Sequence, residues 1–290
     1  MIKIIKIDIE NKHYPHRLRT IENAPKSIYA VGNIDILNNE GIAVIGSRNN
    51  TEYGKKWCKY FTEKLLEYDL SIISGMALGI DSIAHNTCLE NKGKTIAVLP
   101  SGFDNIYPEE NIKLFEEITK KGGVVISEYD PKTKVKSQYC LERNRIVSGL
   151  AIATLVIEAQ FRSGTSVTAG YTEEQKKMVF CLPSSLDNKK GIGTNNLIKK
   201  GAILVTEIND IISKFDFLMQ RKPKKITEDK ILKKEYLEIY NLIDGEPTSI
   251  ENIIKKSGIP TNEVMSKITM MELEEYIKML PGNKVVKINE

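Results

Sequence analysis

Short apolar runs rich in β-branched residues recur through the middle of this chain, separated by amphipathic stretches. The runs are Ile42–Ile45, Leu70–Ile73, Thr95–Leu99, Val124–Ser127, Ala153–Glu158, Met178–Leu182 and Ala202–Val205. Each is apolar on both faces, as strands covered on two sides require. Between most of them lie segments of helical length, such as "KKWCKYFTEKLLEY" and "PEENIKLFEEITKK". The second places Pro108 at a first helical position and stops before Gly122-Gly123. Such strands alternating with helices predict an α/β fold built on a doubly wound, mostly parallel sheet. Right-handed crossovers then gather the loop after each strand along one carboxyl edge, where such sheets bind ligands.

The flanks follow other patterns. "MIKIIKIDIE" reads as a short edge strand, and residues 1–40 as a Pro- and Gly-punctuated lead-in packed on the core. The sheet domain spans 41–220 and closes with a helix in "TEINDIISKFDFLMQ"; the charged, proline-containing residues 221–228 form a linker. Within 229–290, "ILKKEYLEIYNLI", "TSIENIIKKSG" and "PTNEVMSKITMMELEEY" read as three short helices, and "IKMLPGNKVVKI" as two strands about a Pro-Gly turn. That order matches a winged helix-turn-helix. Its recognition helix carries several acids and one lysine, which suits a protein contact better than a duplex.

Composition narrows the classes. With 290 residues, 41% hydrophobic and 28% charged, the chain falls among ordinary soluble globular proteins. A net charge of +4 permits polyanion binding without establishing it. No stretch approaches the roughly 20 apolar residues of a membrane span, and no signal peptide is evident. Cys58, Cys88, Cys140 and Cys181 are scattered without a C-x-x-C pair, and His13, His16 and His85 are the whole histidine complement. Free thiols in a reducing cytoplasm are expected, with no metal and no cofactor.

The candidate chemistry sits in four glycine-containing loops at strand ends: "GSRNNTEYG" (46–54), "SGMALGID" (74–81), "RSGTSVTAG" (162–170) and "PSSLDNKKGIGTNNLI" (183–198). Glycines there permit positive φ and turn backbone N–H groups toward an anion at a helix start. Ser47, Ser74, Ser163 and Thr165 add hydroxyls, so the edge is expected to form a phosphate-accepting pocket. No G-x-G-x-x-G accompanies the first loop, and Arg48 stands where a dinucleotide site favours small residues. Arg48 is either a clamp on phosphate, or a plane stacking on a base, or the ion-pair partner of a carboxylate such as Asp81. Asp81 and His85, at i and i+4, read as structural, with Asp81 capping and His85 bonding backbone; a catalytic pair would need a nucleophile or metal that is not evident. Glu158, ending a strand, accepts hydrogen bonds either from a loop or from Arg143 or Arg145, or touches ligand. "KTKVKSQYCLERNRIVSGLA" interleaves Lys132, Lys134 and Lys136 with Tyr139, a pattern that suits a single-stranded nucleic acid. Of Arg143 and Arg145, one is expected to be structural and one to bind.

The blocks "GIAVIGSR", "IISGMALGIDSIAH", "TIAVLPSGFDNIYPEEN", "GGVVISEY", "RNRIVSGLA", "SGTSVTA" and "GTNNLIKKGA" occur in the order and spacing of the DprA/Smf family. The chain resembles that family over about residues 12–210, and its last segment resembles the winged-helix domain many members carry. The resemblance implies an extended Rossmann-like fold without turnover that binds single-stranded DNA. It also implies a homodimer that helps load the recombinase RecA in natural transformation. By position it assigns DNA contact to Gly46, Ser47 and Arg48, to Ser74, Gly75, Ala77 and Gly79, and to Ser163, Gly164 and Thr165. The basic stretch with Lys136, Tyr139, Arg143, Asn144 and Arg145 adds to these, while Asp81, His85 and Glu158 support them. Cys140-Leu141-Glu142 replace the Phe-Pro pair that many members place before R-N-R, and Pro100 stands where glycine is common. No room is left before residue 12 for the helical N-terminal domain of many relatives. The competing reading is a nucleotide-binding or nucleotide-hydrolysing protein of phosphoribohydrolase type, although "RSGTSVTAG" lacks the Pro-Gly-Gly-x-Gly-Thr block of those enzymes.

Overall fold

All seven apolar runs form strands, and two more precede them. The strands are β1 (Ile5–Asp8), β2 (Ser27–Gly32), β3 (Gly41–Gly46), β4 (Ser71–Ser74), β5 (Thr95–Leu99), β6 (Val124–Ser127), β7 (Ala153–Glu158), β8 (Met178–Cys181) and β9 (Ile203–Leu204). The computed structural model describes residues 3–161, 163–224, 233, 235–243, 247–274 and 276–287. The chain folds as two units, 1–226 and 227–290. In the first, one nine-stranded sheet has the order β1-β2-β6-β5-β4-β3-β7-β8-β9. From β6 to β9 every neighbouring pair is parallel, whereas β2 runs antiparallel to β6 and β1 antiparallel to β2.

The central strands β4 to β7 are buried at every position, because helices cover both faces. On one face Ile146, Val147, Leu150, Ala169 and Leu197 pack against Ala43, Ile45, Ile73 and Val156. On the other, Cys58, Phe61, Leu65, Ile80, Ala84 and Cys88 pack against Ile42, Val44, Ile72 and Leu155. The amphipathic helices Glu52–Glu67 and Ile80–Glu90 supply that second layer.

Three local readings change. The lead-in packs on the core with β1 as its edge strand, but it also supplies the second strand β2; Ile7, Tyr14, Leu18, Ile28, Ile36 and Leu37 join the core, and Tyr14 Oη donates to Pro25 O at 2.7 Å. Pro108 starts a 3-10 turn, Glu109–Asn111, and the α-helix follows at Ile112–Lys120. The closing helix is two short ones, Asn209–Ile212 and Asp216–Met219.

Strand order also fixes where a ligand fits. From β3 the chain proceeds through β4, β5 and β6 to one side, then returns to place β7, β8 and β9 on the other. The loops after β3 and β7 therefore lead to opposite faces and leave a crevice between them.

The second unit contains the helices Leu237–Tyr240, Ile250–Ser257 and Thr261–Leu273. Its sheet has the order β10-β12-β11, from β10 (Thr248–Ser249), β11 (Ile277–Leu280) and β12 (Lys284–Lys287). Ile239, Ile253, Val264, Ile268, Met271, Ile277 and Val285 form its core, a winged-helix arrangement. The two-residue β10 was too short to show in the sequence pattern. Residues 225–228 of the expected linker, and 231, 232 and 234 of the expected first helix, lie outside the described residues.

Candidate nucleic-acid interface

A cleft of about 660 Å³ opens at the β3/β7 crevice. Gly46, Ser47, Arg48 and Asn49 line it after β3, and Gly75, Ala77 and Asp81 after β4. Gln160, Ser163, Gly164 and Thr165 line it after β7, and Lys136, Cys140, Arg143 and Asn144 close it from the basic segment.

The turn carrying Arg48 is fixed from three sides. Ser47 N donates to Glu158 O at 2.7 Å, Asn49 N donates to Ser47 Oγ at 3.2 Å, and Ile80 N donates to Ser47 O at 3.1 Å. Gly79 has φ +78°, and a Cβ there would stand 2.3 Å from Ser47 O. Only glycine lets the two turns meet this closely. Glu158 is buried beneath, accepting from Thr51 N at 2.8 Å, Thr51 Oγ1 at 2.7 Å and Asn188 Nδ2 at 3.1 Å. Its partners are loop groups, not Arg143 or Arg145. Arg48 itself is exposed and has no ion pair or hydrogen bond among the described residues; the alternative pairing with Asp81 does not form.

Asp81 faces its own turn. Its Oδ2 accepts from Gly75 N at 3.1 Å and Ala77 N at 3.3 Å. Burial raises its carboxyl pKa above the ordinary value, and the neighbouring Arg143 opposes that rise. His85 Nδ1 lies 2.7 Å from Thr95 Oγ1, whose hydroxyl donates in turn to Ile72 O at 2.8 Å. Burial pushes the imidazole down to about 3, which keeps it neutral.

The two arginines take different places. Arg143 is buried, its Nη1 donating to Gly75 O and Val98 O and its Nε to Asn144 Oδ1 at 3.3 Å. It ties the ends of β4 and β5 together under the cleft floor. A Cβ on residue 75 would stand 2.6 Å from the guanidinium carbon, so Gly75 is what admits it. Arg145 forms a two-pronged pair with Glu128 at 2.6 and 2.9 Å and donates to Asn23 O at 3.1 Å. Both guanidiniums are engaged by protein acceptors; Arg143 also lines the cleft, whereas Arg145 does not. Asn144, also buried, bridges Arg143 and Gly164 O.

Further expected groups lie outside the cleft lining. Ser74 Oγ is turned inward, donating to Val44 O at 2.7 Å. Tyr139 stacks on Tyr129 with centroids 4.3 Å apart, and Lys136 Nζ sits 5.3 Å from its ring. The fourth loop backs the first: Asn188 holds Glu158, and Lys190 Nζ donates to Asn49 Oδ1 at 3.1 Å.

The third loop does face the cleft. The helix Gly164–Glu174 starts there, with Ser163 at its N-cap making no capping bond. Ser163 Oγ is buried and has no hydrogen-bond partner, and the space around Gly164 is open. A helix start with free amides beside an unengaged hydroxyl favours an anion. Arg162 lies outside the described residues. Tyr107, Gln160 and Asn49 also line the cleft and were missed from sequence. The signal for Tyr107 was available: an aromatic ring in a loop after a strand, on the carboxyl edge.

No helix among the described residues is long and apolar enough to cross a membrane, and no three His, Cys, Asp or Glu side chains among them gather to hold a metal.

Comparison with known proteins agrees with this architecture. The family model for DNA recombination-mediator protein A matches residues 6–216, and that for the DprA winged helix domain matches 223–283. Protein Smf of Escherichia coli (strain K12) is 32% identical over 285 residues, covering 96% of this chain and 76% of that one. The X-ray structure of DNA processing protein A from Streptococcus pneumoniae superposes with a TM-score of 0.70 at 37% identity, over 74% of this chain and 75% of that one. A structure of the Helicobacter pylori protein, reported for its single-stranded DNA binding mode, gives a TM-score of 0.66 at 31% identity, over 73% of this chain and 95% of that one. With the sheet, the winged-helix unit and both family models in agreement, this chain belongs to the DNA recombination-mediator protein A (DprA/Smf) family.

Proposed function

We propose that this chain binds single-stranded DNA along the carboxyl edge of its sheet, without turnover and without a cofactor. Arg48 carries the reading: it is an exposed guanidinium on a rigid turn, with no protein partner among the described residues. It lines one cleft with the open helix start at Ser163–Thr165 and with Lys136. Backbone phosphate fits such a set, since charge-assisted bonds from arginine and helix-start amides are the strong ones. The single-strand binding described for the Helicobacter pylori relative supports the same ligand. Among the described lining residues the carboxylate is Asp81, already accepting two amides, which favours a binder over a phosphoribohydrolase. The proposal extends to a cytoplasmic homodimer that protects incoming strands and helps load RecA in natural transformation. Family membership supports this extension, and RecA filament assembly on coated single strands tests it.

The primary test is a fluorescence titration of single- and double-stranded oligonucleotides across salt. Single strands are expected to bind more tightly, with affinity falling steeply as salt rises. Arg48→Ala should weaken binding about ten-fold or more and reduce the salt slope by about 0.7. Unchanged affinity in that variant refutes the proposal. Release of free base from nucleoside monophosphates favours the enzyme reading.

A further inference from the structure

Next to the Arg48 turn the cleft runs on into a small apolar slot lined by Leu78, Pro100, Tyr107, Pro108 and Cys140. Arg48, Gly75, Ala77 and Arg143 line both spaces, so the slot is continuous with the phosphate-facing surface. Tyr107 also lines both and is 38% exposed. Among the described lining residues it is the one aromatic side chain, and no stacking partner or hydrogen bond occupies its ring or hydroxyl. Tyr139, the aromatic expected from sequence to meet a base, is instead stacked on Tyr129.

The loop carrying Tyr107 is held in place before any ligand arrives. Phe103 is buried against Phe115 with centroids 6.0 Å apart. Gly102 N donates to Thr133 O, and Asp104 N to Pro131 O, both at 2.9 Å. The same contacts anchor residues 130–133, where the lysine-bearing segment begins.

We propose that this slot receives one unstacked nucleobase of the bound strand, with Tyr107 as the stacking face; the inference rests on the single-strand reading above. A strand bound through phosphate alone places its bases in water, and an apolar, aromatic cradle beside the phosphate turn removes one of them from it. Ring stacking accepts any base, because each has a π-face. In a duplex those faces are already buried between neighbours. The slot thus adds affinity for single strands and none for duplex.

The test titrates the full chain with an oligothymidine and with a strand of equal length whose sites are abasic. Wild type should favour the oligothymidine by about ten-fold, the contribution of one stacked base. Tyr107→Ala should lose that preference while keeping wild-type affinity for the abasic strand and the wild-type salt slope. Tyr107→Phe should retain the preference. Equal losses on both strands, or an undiminished preference in Tyr107→Ala, overturn the slot. Wild type that binds neither strand overturns the single-strand reading beneath it. A circular-dichroism melt of each variant establishes that the fold is intact.

Discussion

Replacing Arg143 by methionine keeps most of the side-chain volume and removes its charge. Two carbonyls, Gly75 O and Val98 O, lose a cationic donor, and buried Asp81 loses its compensating neighbour. Hydrogen bonds to charged groups contribute about 1.5–3 kcal/mol each. Removing one partner from a buried charged set costs about 3–5 kcal/mol in total. The second figure applies, since the carbonyls and Asp81 share one guanidinium and their losses do not add. Domains are stable by only about 5–15 kcal/mol. The assay is urea unfolding followed by fluorescence of Trp57, the single tryptophan, which reports on the sheet unit. With a slope of about 2–3 kcal/mol per molar, the midpoint should fall by about 1–2 M. The deficit should also depend on pH. Asp81 has a folded pKa raised by burial, so it contributes stability below its unfolded value and loses that as pH rises through the folded one. Without Arg143 the folded value rises further, so the deficit should be smallest near about pH 4 and widen toward about pH 7. Adding Asp81→Asn should recover part of the loss and remove this pH dependence. A midpoint at neutral pH indistinguishable from wild type refutes the account of Arg143 as a structural tie.

Two other substitutions probe the support under Arg48. Gly79→Ala combines φ +78° with a 2.3 Å approach to Ser47 O; it should cost about 2–4 kcal/mol in urea unfolding and weaken oligonucleotide binding. Wild-type stability and affinity together would show that the turn does not need glycine. Glu158→Gln replaces a carboxylate accepting three bonds by an amide that accepts at one end only; a loss of about 1–3 kcal/mol is expected. Its binding defect should be partial, since Arg48 remains. Faster amide exchange at Ser47 and Thr51 would mark the loosening, and unchanged exchange counts against Glu158 as the organiser of the turn.

Strands β3 to β8 were legible because burial on both faces leaves one dominant signal, an unbroken apolar run such as Ala153–Glu158. β1 was legible as an edge strand, whereas β2 was not: Ser27–Gly32 lies within a lead-in whose apolar residues keep no period. The site was legible where its chemistry is local. Gly46-Ser47-Arg48 announces a turn at a strand end, and Ser163-Gly164-Thr165 a helix start. It was illegible where the third dimension decides which way a polar group points. Ser74 and Ser47 both stand at the carboxyl ends of buried strands, yet Ser74 Oγ meets Val44 O across the β3–β4 pair and leaves the pocket. Arg48 and Arg143 both read as candidate DNA contacts, but one finds solvent and the other finds two carbonyls in the interior. Residue type alone points both toward a ligand.

The ends of the sheet carry a consequence for assembly. At one margin stands β1, four residues long with Lys6 and Asp8 turned outward and paired at 3.8 Å; at the other stands β9, two residues long. Charged or very short margins are poor templates for strand addition. A second copy of this chain would therefore find little backbone to zip onto, and the proposed homodimer would be made through helices and loops. The two antiparallel strands at the start of the chain cover the β6 side of the sheet and leave its carboxyl edge to the proposed DNA strand.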